Sequence, residues 1–334
     1  MSAQIRAALS HPAVRAVLPL LAVLVVGAIF NREGAFFEWQ THRAMLREIS
    51  VHGILACGMT VVIITAGIDL SVGSVLALAA VSFALFSMPM GWSAWLGVPA
   101  VLLVGALAGA VNGVLVAVPR IQAFIVTLAS MVFARGLAKQ LADGKKVTSS
   151  FQAADGGFVS VPQPAIFDAI DARVLGGNIS VVTLVFLVAA AVTWLILTRL
   201  NVGRYLYAVG GNLEAARLAG VPVRATLIFA YAFAGLLSAV AGICQAAQET
   251  HGDPETGMGY ELDAIAMVVL GGTSLMGGRG GVGLTLVGAL TLGYLQKVLS
   301  LNAYSTEARL MLTGVIIVAA VLFQMSLRAR SQTS

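Results

Sequence analysis

The sequence predicts an all-α polytopic membrane protein of about ten transmembrane helices, forming one transmembrane domain over residues 1–334. Three observations carry this. Of 334 residues, 59% are hydrophobic and only 10% charged, whereas a soluble domain carries roughly 25% charged residues. Several nearly uncharged runs reach about the 20 residues needed to cross a bilayer. Polar, basic stretches separate those runs. Loops of this kind orient a membrane protein, so the net charge of +5 requires no nucleic-acid partner.

The elements follow in order. The N-terminus, MSAQIRAALSHPAVR, is basic and leads into an apolar run at 14–30. That run has no clear small-residue cleavage site, so a retained first span is expected rather than a cleaved signal. A mixed-charge loop at 31–48 precedes the second span at 49–66, which ends in GIDLSVGS; the third, at 72–86, starts at once. The fourth and fifth spans lie at 95–118 and 124–141. A long polar segment, 142–178, with Pro162 and Pro164, separates the halves. The sixth span, 179–197, leads into a polar, cationic stretch at 199–225. The seventh span is at 226–247, followed by an acidic loop at 248–261 and a short eighth span at 262–275. The ninth and tenth are at 282–299 and 308–327.

Charge asymmetry orients the spans. With both termini in the cytoplasm, Arg6, Arg15, Arg120, Arg199, Arg204, Arg217, Arg224, Arg279, Arg328 and Arg330 all lie inside, and Glu214 is the acidic residue clearly placed there. Most other carboxylates lie outside, as do some cations, among them Arg43, Arg47, Lys145 and Lys146. Every short loop assigned inside is basic. This makes 142–178 a long outer segment and 199–225 a cytoplasmic loop.

Within that loop, NLEAARLAG reads as one short helix. Asn212 is a good N-cap, and Glu214 sits in the first turn, where the helix dipole favours an anion. Arg217 lies three residues on, on the same face. Gly220 suits the left-handed position after the last turn, and Pro222 prevents continuation. A helix so short is marginal alone in water, so its own loops or a partner surface must hold it. A docking element and an ordinary structured loop are both compatible with that.

Two places interrupt apolar runs with glycines and polar groups: 67–74 and 271–281, the second including Thr273 and Ser274. Paired interruptions point to repeat-built transporters, and irregular backbone at membrane depth must be buried in protein or line a water-filled cavity. Asp69 is the most deeply apolar-flanked carboxylate. It is either a pathway residue or, more economically, a cap in which Asp69 or Ser71 accepts from the free amides opening the third span. Asn112 faces the same choice between interhelical hydrogen bonding and ligand contact, and Gly105, Gly109 and Gly113 around it form a small-xxx-small stripe. Thr127 and Ser130 are expected to back-bond within their own helix.

No chemistry of an enzyme is evident. His42, His52 and His251 share no metal-ligand spacing, and Cys57 and Cys244 read as small core residues. The sequence has no glycine-lysine phosphate loop, no Ser-His-Asp arrangement and no paired carboxylate site. Uphill transport would draw on an ion gradient or on another subunit. Arg135 and Asp263 lie near span ends, leaving Asp69 as the main intramembrane charge, which favours a carrier driven by another subunit.

The motifs ITAGIDLSVGSVLAL, AFIVTLASMVFARGLA, YAVGGNLEAARLAGV and ELDAIAMVVLGGTSLMGGRG resemble the membrane-spanning permease subunit of bacterial ABC importers for monosaccharides, the ribose/xylose/arabinose/galactose group. The resemblance covers about 49–323. It implies ten spans with cytoplasmic termini in the inner membrane, and a pore built from two copies or two paralogues. It also implies a cytoplasmic ATPase, often with two fused halves, that holds ATP and Mg, so this chain binds no cofactor. A periplasmic sugar-binding protein would deliver the cargo. The residues Gly210, Gly211, Asn212, Glu214, Ala215, Ala216, Arg217 and Gly220 match the loop that docks on the ATPase. The outer segment 142–178 departs from the group's pattern. Related permeases of the group carry autoinducer-2 or nucleosides, and an ion-coupled carrier acting alone is the remaining alternative.

Overall fold

The computed structural model describes residues 12–152 and 157–305, with scattered residues between 307 and 318. The predicted tenth span, 308–327, therefore lies largely outside the described residues. Helix α1 spans Pro12–Ile29. After a 3-10 turn at Ala35–Phe37 come α2 (Trp39–Ile64), α3 (Val72–Ser87), α4 (Ala94–Ala117) and α5 (Ala123–Leu141). The segment after α5 holds two small antiparallel ribbons, β1 (Ser150–Gln152) with β2 (Phe158–Ser160) and β3 (Arg173–Val174) with β4 (Ile179–Ser180), around α6 (Ala165–Asp171). These ribbons are a small departure from the all-α expectation. Next come α7 (Val181–Arg199), α8 (Asn201–Gly211), α9 (Leu213–Leu218), α10 (Val223–Glu249), α11 (Tyr260–Leu270) and α12 (Val282–Leu301). Among the described residues six helices, α2, α4, α5, α7, α10 and α12, are long and apolar enough to cross a membrane; α1 and α3 are shorter apolar helices.

The second span begins ten residues earlier than predicted, at Trp39 rather than 49. Its extra turns carry charges that the composition assigned to a loop. Those charges are held: Arg43 donates to the Gly177 carbonyl at 3.1 Å, Arg47 pairs with Asp171, and Glu48 accepts from Lys297 at 3.1 Å. Partnered charges at a helix end let the helix run on.

Helix α10 is central and packs along α4, α3 and α2. The predicted glycine stripe works here. A Cβ on Gly105 would overlap the carbonyl oxygen of Gly235, and one on Gly109 that of Tyr231. Glycine lets the two backbones touch, the small-residue packing expected of membrane helices. By contrast α5 turns Phe124, Ile125, Leu128, Val132 and Phe133 outward. An apolar face of that kind suits lipid or another membrane subunit.

The segments joining the helices gather at two ends. At one end Phe30 and Arg32 meet Leu301 and Asn302, Trp39 donates to Asn178 at 2.8 Å, and Val147 bridges Gly252. At the other end the close of α2 meets α8 and the 271–281 turn, where the Gly278 amide donates to the Ile64 carbonyl at 2.9 Å. Among the described residues, the segments assigned by charge to one side of the membrane thus share one end of the bundle.

The interruptions pair differently from the sequence expectation. The non-helical segment after α2 (65–71) leads into short α3. Its counterpart after α10 is 250–259, leading into short α11, and not 271–281. The segment 250–259 is more than an outer loop: Gly252 packs on Ala80 and Ala84 and Gly257 on Gly73, so it runs back along α3 to that helix's first turn. Arg135 of α5 holds it, donating to the carbonyls of Pro254 at 2.5 Å and Thr256 at 2.6 Å. Helices α2 and α10 run in opposite directions between the two ends, so long helix, break and short helix recur in inverted sense.

Candidate functional site

The cytoplasmic-loop prediction is built as two helices rather than one. The sequence reading found α9 but missed α8 before it; the chain turns sharply at Asn212, which is both the end of α8 and the cap of α9. The Asn212 side-chain oxygen accepts from the Ala215 amide at 2.9 Å. Glu214 and Arg217 pair at 3.7 Å on the exposed face. Gly220 adopts φ +80°, and the Val221 amide returns to the Ala216 carbonyl at 3.0 Å, closing the last turn. Ala216 is the buried anchor, packed with Ala117, Val209 and Leu227, while Leu218 is 87% exposed.

Gly210 and Gly211 seat this unit. A Cβ on Gly210 would overlap the Ile64 carbonyl oxygen, and Gly211 touches the position a side chain on Gly278 would need. The Tyr207 hydroxyl donates to the Gly280 carbonyl at 2.9 Å. Helix α8 is therefore keyed into the end of α2 and the 271–281 turn. Tyr207 escaped the sequence reading, and the interruption at 271–281 was not tied to α8, because the partners are distant in the chain. Thr273 and Ser274 belong to this turn: Thr273 Oγ1 accepts from the Gly281 amide at 3.4 Å and the Ser274 amide donates to the Arg279 carbonyl at 3.0 Å.

Four other candidates form one buried chain. The Ser71 amide and hydroxyl both donate to Asp69 Oδ1, at 2.9 and 2.6 Å. Asn112 Nδ2 donates to Ser71 Oγ at 2.9 Å, and the Ser130 hydroxyl donates to Asn112 Oδ1. The expected helix cap is not formed: Ser71 stands at the cap position of α3 with no side-chain bond to its first-turn amides, and Asp69 instead closes a turn just ahead of the helix. That turn also ties α3 to α4 and α5. Ser130 departs from expectation by reaching across to Asn112, whereas Thr127 does back-bond, donating to Ala123 at 2.9 Å. Interhelical hydrogen bonding thus accounts for Asn112 without a ligand.

A further polar contact was not singled out. His52 Nε2 lies 3.5 Å from Asp263 Oδ2, and its ring lies on Tyr260 with centroids 4.0 Å apart. At the end bearing 250–259, burial alone would raise the Asp253 carboxyl. The Glu255 amide and the Lys146 ammonium, 3.0 Å away, outweigh it and hold the group below the usual carboxylate range. Among the described residues no group of three or more His, Cys, Asp or Glu is placed to hold a metal, and Cys57 and Cys244 are buried and free.

Broken helices, polar groups bonded between spans and a capped helix held outside the bundle are compatible with a membrane transport protein. Residues 43–321 match the family described as the branched-chain amino acid transport system / permease component. Over 311 residues the chain is 40% identical to the ribose import permease protein RbsC of Haemophilus influenzae, covering 92% of this chain and 91% of that protein. It is 40% identical to the L-arabinose transport system permease protein AraH of Escherichia coli, over 92% and 88%. It is 37% identical to the galactofuranose transporter permease protein YtfT of Escherichia coli, over 84% and 78%. No solved structure matches. The chain belongs to this family of transporter permease components, among its sugar ABC permeases.

Proposed function

We propose that this chain is the inner-membrane subunit of an ATP-driven importer for a monosaccharide, pentose or hexose. It would have about ten spans and cytoplasmic termini. The relatives named for ribose, L-arabinose and galactofuranose support the cargo class. The observation that carries the mechanism is α9, capped at both ends, anchored by Ala216 and presenting Glu214, Arg217 and Leu218 outward. A cytoplasmic ATPase, with ATP and Mg on its own residues, grips that face. Its closure moves α8, and through the Gly210 and Gly278 contacts it moves α2 and the 271–281 turn as rigid bodies. A loaded periplasmic sugar-binding protein docks at the end formed by 142–178 and 248–261, and a second permease copy or paralogue completes the pore.

The test is uptake of labelled ribose and arabinose in cells expressing the permease with its ATPase and binding protein. Glu214→Arg and Arg217→Glu are expected to lower uptake about tenfold or more while the protein stays in the membrane. Normal uptake with normal ATPase association removes the coupling role. Thermal-shift screening of the cognate binding protein separates a monosaccharide from autoinducer-2 or a nucleoside. Gradient-driven uptake into liposomes without any ATPase would favour an ion-coupled carrier instead.

A further inference from the structure

A cavity of about 950 Å³ opens beside α9, between the end of α2, the α4–α5 turn and the start of α10. Its wall is mostly apolar, with Val116, Val209, Leu227 and Tyr231 on it. Three arginines line it as well: Arg120, Arg217 and Arg224. Glu214 is the carboxylate in the same lining, and it pairs with Arg217. Among the described residues Arg120 and Arg224 have no carboxylate or hydrogen-bond partner, and both are exposed. The first turn of α10, the positive end of a 27-residue helix, faces the same space. Arg120 itself sits at φ +61°, on the tight turn that carries it to the rim. The outward apolar residues Val118, Ile121 and Phe124 adjoin that turn, so the cavity borders the apolar surface of the bundle.

We propose that this cavity holds an anionic phospholipid, its headgroup phosphate at Arg120 and Arg224 and the upper acyl chain on the apolar wall. The chemistry of the wall selects this occupant. A soluble anion would leave the apolar lining wet, and a neutral lipid would leave two cations uncompensated. Basic pockets between membrane helices are a recurring headgroup site. A lipid here would touch the α9 unit, so anionic lipid content would bear on coupling. The inference rests on the permease reading only in assigning this end to the cytoplasmic leaflet.

The experiment is native mass spectrometry of the full-length chain in detergent, with dioleoyl-phosphatidylglycerol and dioleoyl-phosphatidylcholine as probes. Retention of phosphatidylglycerol is expected to exceed that of phosphatidylcholine by roughly tenfold or more, the effect of two cations beside one headgroup. The preference should vanish in the Arg120→Gln/Arg224→Gln double variant and survive in the Arg120→Lys/Arg224→Lys one. Equal retention of the two lipids by the unaltered chain overturns the proposal, as does a glutamine variant that keeps the preference. Displacement of phosphatidylglycerol by millimolar inorganic phosphate assigns the arginines to a free anion and overturns it too. Lipid retention is read without ATP or sugar, so failure here leaves the transport reading standing, and the reverse.

Discussion

Asp69, Ser71, Asn112 and Ser130 show how a single side chain can act on three helices. Each donor in that chain has an acceptor, so removing one member strands a buried polar group. Asn112→Ala is expected to cost on the order of 1 kcal/mol, the scale of interhelical hydrogen bonds in membranes, seen as a lower Tm in detergent. For Asp69→Ala, reduced Tm with unchanged transport per folded molecule is expected from a structural turn. Lost transport at normal Tm would instead place Asp69 on the substrate route. Asp253 gives a pH prediction. Its carboxyl is held low in the folded protein, so its contribution to stability is full above the ordinary carboxylate value, roughly 3.9. That contribution is lost as pH falls through its own lower value. Asp253→Asn should therefore lower Tm at pH 7, and the gap to the unaltered protein should narrow as pH falls below the ordinary carboxylate value, the difference at pH 7 being about 1 kcal/mol or less. A constant gap across that range would refute the assignment.

At the scale of elements, two contacts matter most. The α4–α10 crossing depends on glycine, and any side chain at Gly109 meets the Tyr231 carbonyl. Gly109→Leu should cost roughly 3 kcal/mol or more by overpacking and be read as loss of folded protein on size exclusion. The α8–α9 unit depends on Gly210 in the same way. Gly210→Ala should weaken coupling with less effect on expression, since it displaces α8 from α2 at the edge of the bundle and not at its centre. Uptake and membrane abundance measured together separate these outcomes.

For the whole molecule, one labelling experiment reads the orientation of the bundle. Leu218 is exposed on α9, and both native cysteines are buried. A Leu218→Cys protein in intact cells is expected to resist a membrane-impermeant maleimide and to react once the cells are broken. Reaction in intact cells would invert the bundle and remove the ATPase from the account.

The span positions of most helices, the two-sided sorting of the loops and both caps of α9 are legible in the sequence. Each rests on local chemistry: apolar length, basic charge, and an Asn or Gly at a helix end. The early start of α2 is not legible, because Arg43, Arg47 and Glu48 look like loop residues until their partners on 171–177 and α12 are present. The true pairing of breaks is hidden for the same reason. The segment 250–259 reads as an acidic outer loop, and only the packing of Gly257 on Gly73 and the grip of Arg135 show that it turns inward. The sequence by itself determined where most of the described apolar helices lie and where α9 is capped, since those depend on neighbours a few residues away. Tertiary structure alone decided which breaks meet and what α9 pushes against, since backbone-to-backbone contact between distant segments leaves no local periodicity to read.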